Sequence, residues 1–248
     1  MNWLLLRGLA RERRHWFDFA DQLAAAPGST RVLCLDLPGI SSSPEREFPW
    51  SIAAAREALR RQWSAQAGDG AWSLLGISLG GMIALSWLAA YPDDFSRGVI
   101  INSSARDLGL PFERFAPATA LIIPRLLLGG GAVARERAIL GMTTAMLDER
   151  RMAELAQRGA DVWSERPLRR RVFFQQLLAA TRFRAPRHLE PPVLLLSSLG
   201  DILVSPRCTA RLARRYGTHR VHPRAGHDLP SDDPQWVLAQ MAQWEAGS

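Results

Sequence analysis

Trp72-Ser73-Leu74-Leu75-Gly76-Ile77-Ser78-Leu79-Gly80-Gly81-Met82-Ile83-Ala84-Leu85 decides the architecture of this 248-residue chain. Trp72 to Gly76 is a short apolar run of strand character, and Leu79 to Ala90 continues as a helix closed by Tyr91-Pro92. Between them Gly76-Ile77-Ser78-Leu79-Gly80 spells G-x-S-x-G. So short a pattern arises often by chance, and its flanks carry the weight. A strand running into a sharp turn and out into a helix lifts a serine hydroxyl clear of a sheet. Glycine at 76 and 80 suits a backbone that passes close to itself. A glycine-rich strand–helix turn also cradles phosphate, but the lysine of a phosphate loop is missing here, and so is G-x-G-x-x-G spacing.

Outward from this elbow, strands and helices alternate. Trp3 to Leu6 reads as a buried strand, His15 to Ala26 as a helix, and Arg31 to Leu35 as a second buried strand that includes Cys34. Asp36-Leu37-Pro38-Gly39 is a turn, Ser51 caps a helix to about Gln66, and Gly98 to Ile101 is a further strand. The pattern returns with a strand at Pro191 to Leu196, a helix over Ser205 to Tyr216, a short strand over Thr218 to His222 and a last helix over Pro234 to Trp244. Such alternation predicts βαβ units and a mostly parallel sheet of about six strands flanked by helices. From Ala105 to Arg187 the periodicity is helical, punctuated by Pro111, Pro117, Pro124, Gly129 to Gly131 and Pro167. The expected organisation is therefore a core of residues 1–104 and 188–248 with a helical lid insert at 105–187.

Bulk properties narrow the class. The hydrophobic fraction is 47%, enough for a real core, and nothing suggests disorder. All 31 basic residues are arginine, and the formal net charge is +7. No nucleic-acid recognition motif accompanies that charge, so nucleic-acid binding is not expected. The apolar run at Trp3 to Leu6 stops at Arg7, too soon for a secretory signal, and the stretch Ala116 to Leu128 is broken by prolines and Arg125, so no membrane span is expected. The reading is of a cytoplasmic protein. Two separated cysteines, Cys34 and Cys208, form neither a disulfide framework nor a zinc pattern.

A serine hydroxyl is a poor nucleophile and needs a base, which needs an orienting carboxylate. For a serine on a strand–turn–helix elbow the partners follow in the order acid, then histidine. His227 lies in the loop Ala225-Gly226-His227-Asp228-Leu229-Pro230, past the last strand and placed to reach over the sheet edge. His222 is its main competitor. Asp201, in Leu199-Gly200-Asp201 immediately after a strand, is the acid candidate; a helix cap or turn is its plainer role. Two backbone N–H groups must face the developing oxyanion. Leu79, after the serine, and Leu9, in the loop Arg7-Gly8-Leu9, are the candidates, with Gly8 allowing a tight turn.

Leu4 to Leu9, Asp36 to Gly39, Gly76 to Gly80, Gly200-Asp201 and Gly226-His227, in that order, resemble the α/β-hydrolase superfamily over nearly the whole chain. The compact size is similar to that of small carboxylesterases and of bacterial enzymes that cleave a pimeloyl-carrier methyl ester. The menaquinone-pathway synthase that eliminates pyruvate is also similar. The resemblance implies the α/β-hydrolase fold, a Ser78–His227–Asp201 triad and no cofactor. Three functions stay open: a serine hydrolase acting on a carboxylic ester or thioester, a lyase or synthase of the same fold, and a catalytically silent binding protein.

The chain departs from the family at Arg7-Gly8, where His-Gly is usual. Arg7 and Gly8 stand as candidate substrate-binding residues: Arg7 either pairs with an acidic residue for structure or faces the pocket and binds a substrate carboxylate. In the insert, Leu121, Ile122, Ile123, Leu126, Leu127, Leu128, Met142, Met146 and Leu147 either line an acyl pocket or pack the insert onto the sheet. Its arginines, among them Arg135, Arg137, Arg150, Arg151, Arg158 and Arg166, either dock an acidic acyl carrier protein or form a solvated face. The substrate partner expected is a small-molecule ester or acyl compound.

Overall fold

The computed structural model describes residues 1–116 and 130–247. It contains a sheet of six strands in the order β2-β1-β3-β4-β5-β6, every neighbouring pair parallel. The strands are β1 Asn2–Leu6, β2 Arg31–Leu35, β3 Trp72–Ile77, β4 Arg97–Ile101, β5 Val193–Ser198 and β6 His219–His222. Before β4 the helices are α1 Phe19–Ala25, α2 Ile52–Ser64 and α3 Leu79–Ala90. Between β4 and β5 lie α4 Pro111–Arg114, α5 Ala132–Thr143, α6 Glu149–Glu165 and α7 Arg170–Arg182. The chain then adds α8 Pro206–Tyr216, α9 Leu229–Asp232 and α10 Pro234–Ala246.

The continuous apolar strands have a direct cause. A parallel sheet covered on both faces must bury both sets of alternating side chains. In β1, Leu4 and Leu6 join the core beneath α2, α3 and α8, while Trp3 and Leu5 join the core with Trp16, Phe19 and Leu23 and with Val237 and Met241 of α10. Leu195 and Leu194 of β5 divide in the same way. From β1 the chain crosses to β2 on one side and then returns to β3 on the other. The carboxyl ends of β1 and β3 thus flank the switch point where open α/β sheets receive ligands.

Two sequence readings change at the sheet edge. The predicted helix over His15 to Ala26 is broken: a 3₁₀ turn spans Arg13–Trp16, Phe17 takes φ 49°, and only Phe19–Ala25 is α-helical. Glu12 caps the 3₁₀ turn, and burial of both Trp16 and Phe19 outweighs helical continuity. Strand β2, read as buried, is an edge strand with only Leu35 buried, and Cys34 is half-buried. Cys34 and Cys208 are both free.

Between β4 and β5 the described residues are helical, with no strand, as the periodicity predicts. This segment is tied to the rest by one buried and two half-exposed polar contacts. Glu136 of α5 is fully buried, accepts from Arg11 at 2.7 Å and takes the Trp163 indole N–H at 2.8 Å. Asp18 pairs with Arg158 at 2.8 Å and with Arg151. No described helix is long and apolar enough to cross a membrane.

Candidate active site

The elbow is strained in the way its sequence requires. Ser78 has φ 56° and ψ −116°, outside the comfortable regions for an L-residue, at the junction of β3 and α3. Its backbone is held on both sides: its N–H donates to Ile101 O at 2.9 Å, and its carbonyl accepts the Ser103 hydroxyl at 2.9 Å. A Cβ on Gly76 would lie 2.4 Å from the Gly80 carbonyl oxygen, and one on Gly80 would lie 2.2 Å from that of Leu6. Only hydrogen fits at either position. The motif's glycines are thus fixed by backbone meeting backbone.

His227 and Asp201 meet across two loops. His227 Nδ1 lies 2.7 Å from Asp201 Oδ2, and the Asp201 side chain is fully buried. The other carboxylate oxygen of Asp201 accepts the N–H groups of Leu203 and Val204 at 2.8 and 2.9 Å. The acid is therefore locked by the turn that follows β5. The same carboxylate thus both faces His227 and accepts from the turn. Burial is the largest single influence on His227 and disfavours its imidazolium, but the charge and hydrogen bond of Asp201, with Asp228 behind, outweigh it and raise the pKa.

Asn102, with φ 45°, holds the base loop from below. Its amide N–H group donates to the carbonyl of His227 at 2.8 Å and of Gly226 at 3.2 Å, and its oxygen accepts Ser198 N–H at 3.0 Å. His222, the competing histidine, is a loop brace. Its Nδ1 accepts from Ala225 N–H at 2.8 Å, and its Nε2 faces Asp233 at 3.3 Å.

The turn after β1 closes over the serine. A Cβ on Gly8 would lie 3.3 Å from Ser78 Cβ and 3.8 Å from its hydroxyl oxygen. Arg11 N–H bonds back to the Gly8 carbonyl at 3.3 Å, and Ala10 N–H donates to the Gln176 side chain at 2.8 Å. Leu79 is the first residue of α3, so its N–H has no carbonyl partner within the helix. Leu9 and Leu79 both line the cavity above Ser78.

Arg7 forms a two-pronged ion pair with Asp228, at 3.0 and 2.6 Å, and its guanidinium lies 4.7 Å from the Trp16 ring centre. Both side chains are almost fully buried. Of the two roles open to Arg7 from sequence, this is the structural one. Burial opposes the Asp228 charge, but Arg7's charge and hydrogen bonds prevail and lower its pKa.

Ser78 and His227 share a cavity of about 170 Å³ walled by Met82, Ile139, Met142, Phe173 and Leu177. Met142 is thus a wall residue, whereas Met146 and Leu147 pack into core clusters. Leu121, Ile122, Ile123, Leu126, Leu127 and Leu128 lie outside the described residues. Among the insert's arginines, Arg137, Arg151 and Arg158 are engaged by carboxylates.

Sequence reasoning did not single out Asn102, Asp228, Gln176 or Arg114. Asp228 had a visible signal, an acid directly after the candidate base and an obvious complement to Arg7. For Asn102 the signal was a polar residue immediately past an apolar strand. The side chains of Gln176 and Arg114 sit in helices whose sequence gives no sign of the cavity.

The model of the alpha/beta hydrolase family matches residues 3–240. A pimeloyl-acyl-carrier-protein methyl ester esterase of Neisseria meningitidis is 34% identical over 113 residues, covering 44% of this chain and 41% of that protein. The chain therefore spans about two fifths of the length of this curated relative. A homoserine O-acetyltransferase of Thermobifida fusca is 29% identical over 202 residues, 78% of this chain and 51% of that protein. A thermophilic esterase from Thermogutta terrifontis superposes with a TM-score of 0.72 at 19% identity, over 100% of this chain and 90% of that one, which speaks to fold alone.

Proposed function

The chain belongs to the alpha/beta hydrolase family, and from that premise we propose that it is a serine hydrolase cleaving carboxylic esters or thioesters with a short acyl part. One observation carries the reading: a strained Ser78 and a histidine bonded to a buried aspartate open into the same apolar cavity. A binding protein has no use for an oriented base.

In this reading His227 Nε2 removes the Ser78 hydroxyl proton as Oγ adds to the substrate carbonyl. Asp201 holds Nδ1–H and stabilises the imidazolium. The backbone N–H groups of Leu79 and Leu9 receive the oxyanion. Collapse of the tetrahedral species passes the proton from His227 to the leaving alcohol or thiol and leaves an acyl-serine. Water, deprotonated by the same histidine, then releases the acid and restores Ser78. An apolar cavity of ~150 Å³ is large enough for a benzene-sized guest, so the 170 Å³ here suits acyl chains of roughly that bulk.

The insert's carboxylate-bound arginines leave less free charge for an acidic carrier than their number suggests, which favours a small-molecule ester. The test is hydrolysis of p-nitrophenyl esters of graded acyl length by wild type and Ser78→Ala. A short-chain optimum abolished by the substitution supports the proposal; no turnover at any length sinks it. Added alcohols that divert product into new esters would mark an acyltransferase, the activity for which the Thermobifida relative is named.

A further inference from the structure

Three buried arginines, Arg7, Arg11 and Arg114, line the cavity that holds Ser78. Two are neutralised: Arg7 by Asp228, and Arg11 by Glu136. Arg114 is different. It is 3% exposed, yet it has no carboxylate within ion-pairing distance among the described residues. The undescribed residues 117–129 contain no Asp or Glu to supply one. The acids nearest in sequence are engaged elsewhere, Glu113 by Arg211 at 2.5 and 3.0 Å and Asp107 by Arg215 at 3.2 Å.

All of Arg114's hydrogen-bond partners are neutral. Nε donates to the Ser104 hydroxyl at 3.3 Å, Nη1 to the Thr181 carbonyl at 3.1 Å and Nη2 to the Ala180 carbonyl at 2.6 Å. A guanidinium has five N–H donors, so two remain. The carbonyls belong to the last turn of α7, whose dipole offsets part of the charge, but no formal anion completes it. A charge buried without a counter-ion is costly to the fold. Ser104, Phe115 and Ala180 around it line the same cavity, whose remaining wall is largely apolar.

We propose that Arg114 recognises a carboxylate carried by the substrate at the end remote from the scissile ester, so that the preferred substrates are monoesters of short dicarboxylic acids. This rests on the esterase reading of Ser78 and names its substrate class. The apolar wall covers the methylene chain, the ester carbonyl sits at Ser78, and the far carboxylate receives the two remaining N–H groups.

The experiment compares mono-p-nitrophenyl adipate with its neutral methyl ester, corrected for spontaneous hydrolysis, in wild type, Arg114→Gln and Arg114→Lys. Wild type should favour the anionic ester, and the ratio of the two kcat/KM values should fall at least about tenfold in Arg114→Gln, since a charge-assisted hydrogen bond is worth that much. Arg114→Lys, which keeps the charge, should retain part of the preference. No preference in wild type, or an equal ratio in folded Arg114→Gln, would overturn the proposal and leave Arg114 as a helix cap. If Arg114→Gln does not fold, monomethyl adipate and the neutral dimethyl adipate are compared as competitors in wild type; equal inhibition overturns it. If wild type turns over neither ester, the esterase reading fails. Calorimetric binding of adipate, seen in wild type, lost in Arg114→Gln and partly kept in Arg114→Lys, then supports the Arg114 site separately, and absence of binding to wild type sinks it.

Discussion

Arg7 and Asp228 grip each other through both terminal guanidinium nitrogens, at 3.0 and 2.6 Å, and so join the residue before the Gly8 turn to the residue after His227. Two loops 221 positions apart in sequence are thereby fixed as one unit. The usual family residue at this position, a histidine, cannot make a two-pronged bond of this kind.

Removing one partner should therefore cost more than removing both. Asp228→Asn leaves a buried guanidinium without its counter-charge, and urea unfolding should register a loss of about 3–5 kcal/mol. Arg7→Met combined with Asp228→Leu should lose less than Asp228→Asn alone. Esterase activity should fall in all of these variants, because the turn and the base loop lose their common tie.

Ser78→Ala and Asp201→Asn should each lower kcat for p-nitrophenyl esters by about 10⁴-fold or more. Their folds should survive, as judged by circular dichroism and melting temperature. Asp201→Asn retains the oxygen that accepts from Leu203 and Val204 but loses the charge that stabilises the imidazolium.

The raised pKa of His227 sets the pH profile. The base works only when neutral, so kcat/KM should rise with pH through an acid limb whose midpoint lies above the ordinary histidine value of 6.5. Stability carries the opposite dependence. A proton held more tightly in the folded state stabilises it fully below the unfolded histidine pKa, and that gain is lost as pH rises through the folded one. Melting temperatures of wild type and His227→Gln, compared across this window, should converge as pH increases.

Gly80→Ala tests the close approach at the elbow. The added methyl would lie 2.2 Å from the Leu6 carbonyl oxygen and 2.6 Å from that of Arg7, both backbone atoms at the carboxyl end of β1. Neither can yield without shifting the strand. A stability loss of about 1–3 kcal/mol, or more, is expected in denaturant titrations. The change should also depress activity, since the displaced segment carries Gly8.

Much of this arrangement was legible in the chain. The strands β1, β3 and β5 announced themselves as continuous apolar runs because both faces of the sheet are covered. Gly76 and Gly80 marked the elbow because no side chain fits there. His227 and Asp201, singled out from their places just past strand ends, do lie in contact. What stayed hidden depends on contacts between distant segments. Phe17 interrupts a helical pattern because two large aromatic rings on either side of it must both be buried. The edge position of β2 is invisible locally, since an edge strand and a central strand can share one composition. The partner of Arg7 was foreseen in kind and not in identity. Arg114 carries no mark in the sequence that separates it from the other arginines, and only the lack of a carboxylate within ion-pairing distance among the described residues sets it apart.

The carboxylate of Asp232 receives the N–H groups of Ala145 and Met146, just past α5, and also that of Gly226, beside the base. Asp228 N–H adds a bond to the Thr143 carbonyl at 2.6 Å. The wall of the pocket and the His227 loop are therefore moored to each other. Re-angling α5 would strain the bonds that hold the His227 loop. The changes that spare those bonds are exchanges of single wall residues such as Ile139 and Met142, which makes those positions the natural starting points for laboratory diversification.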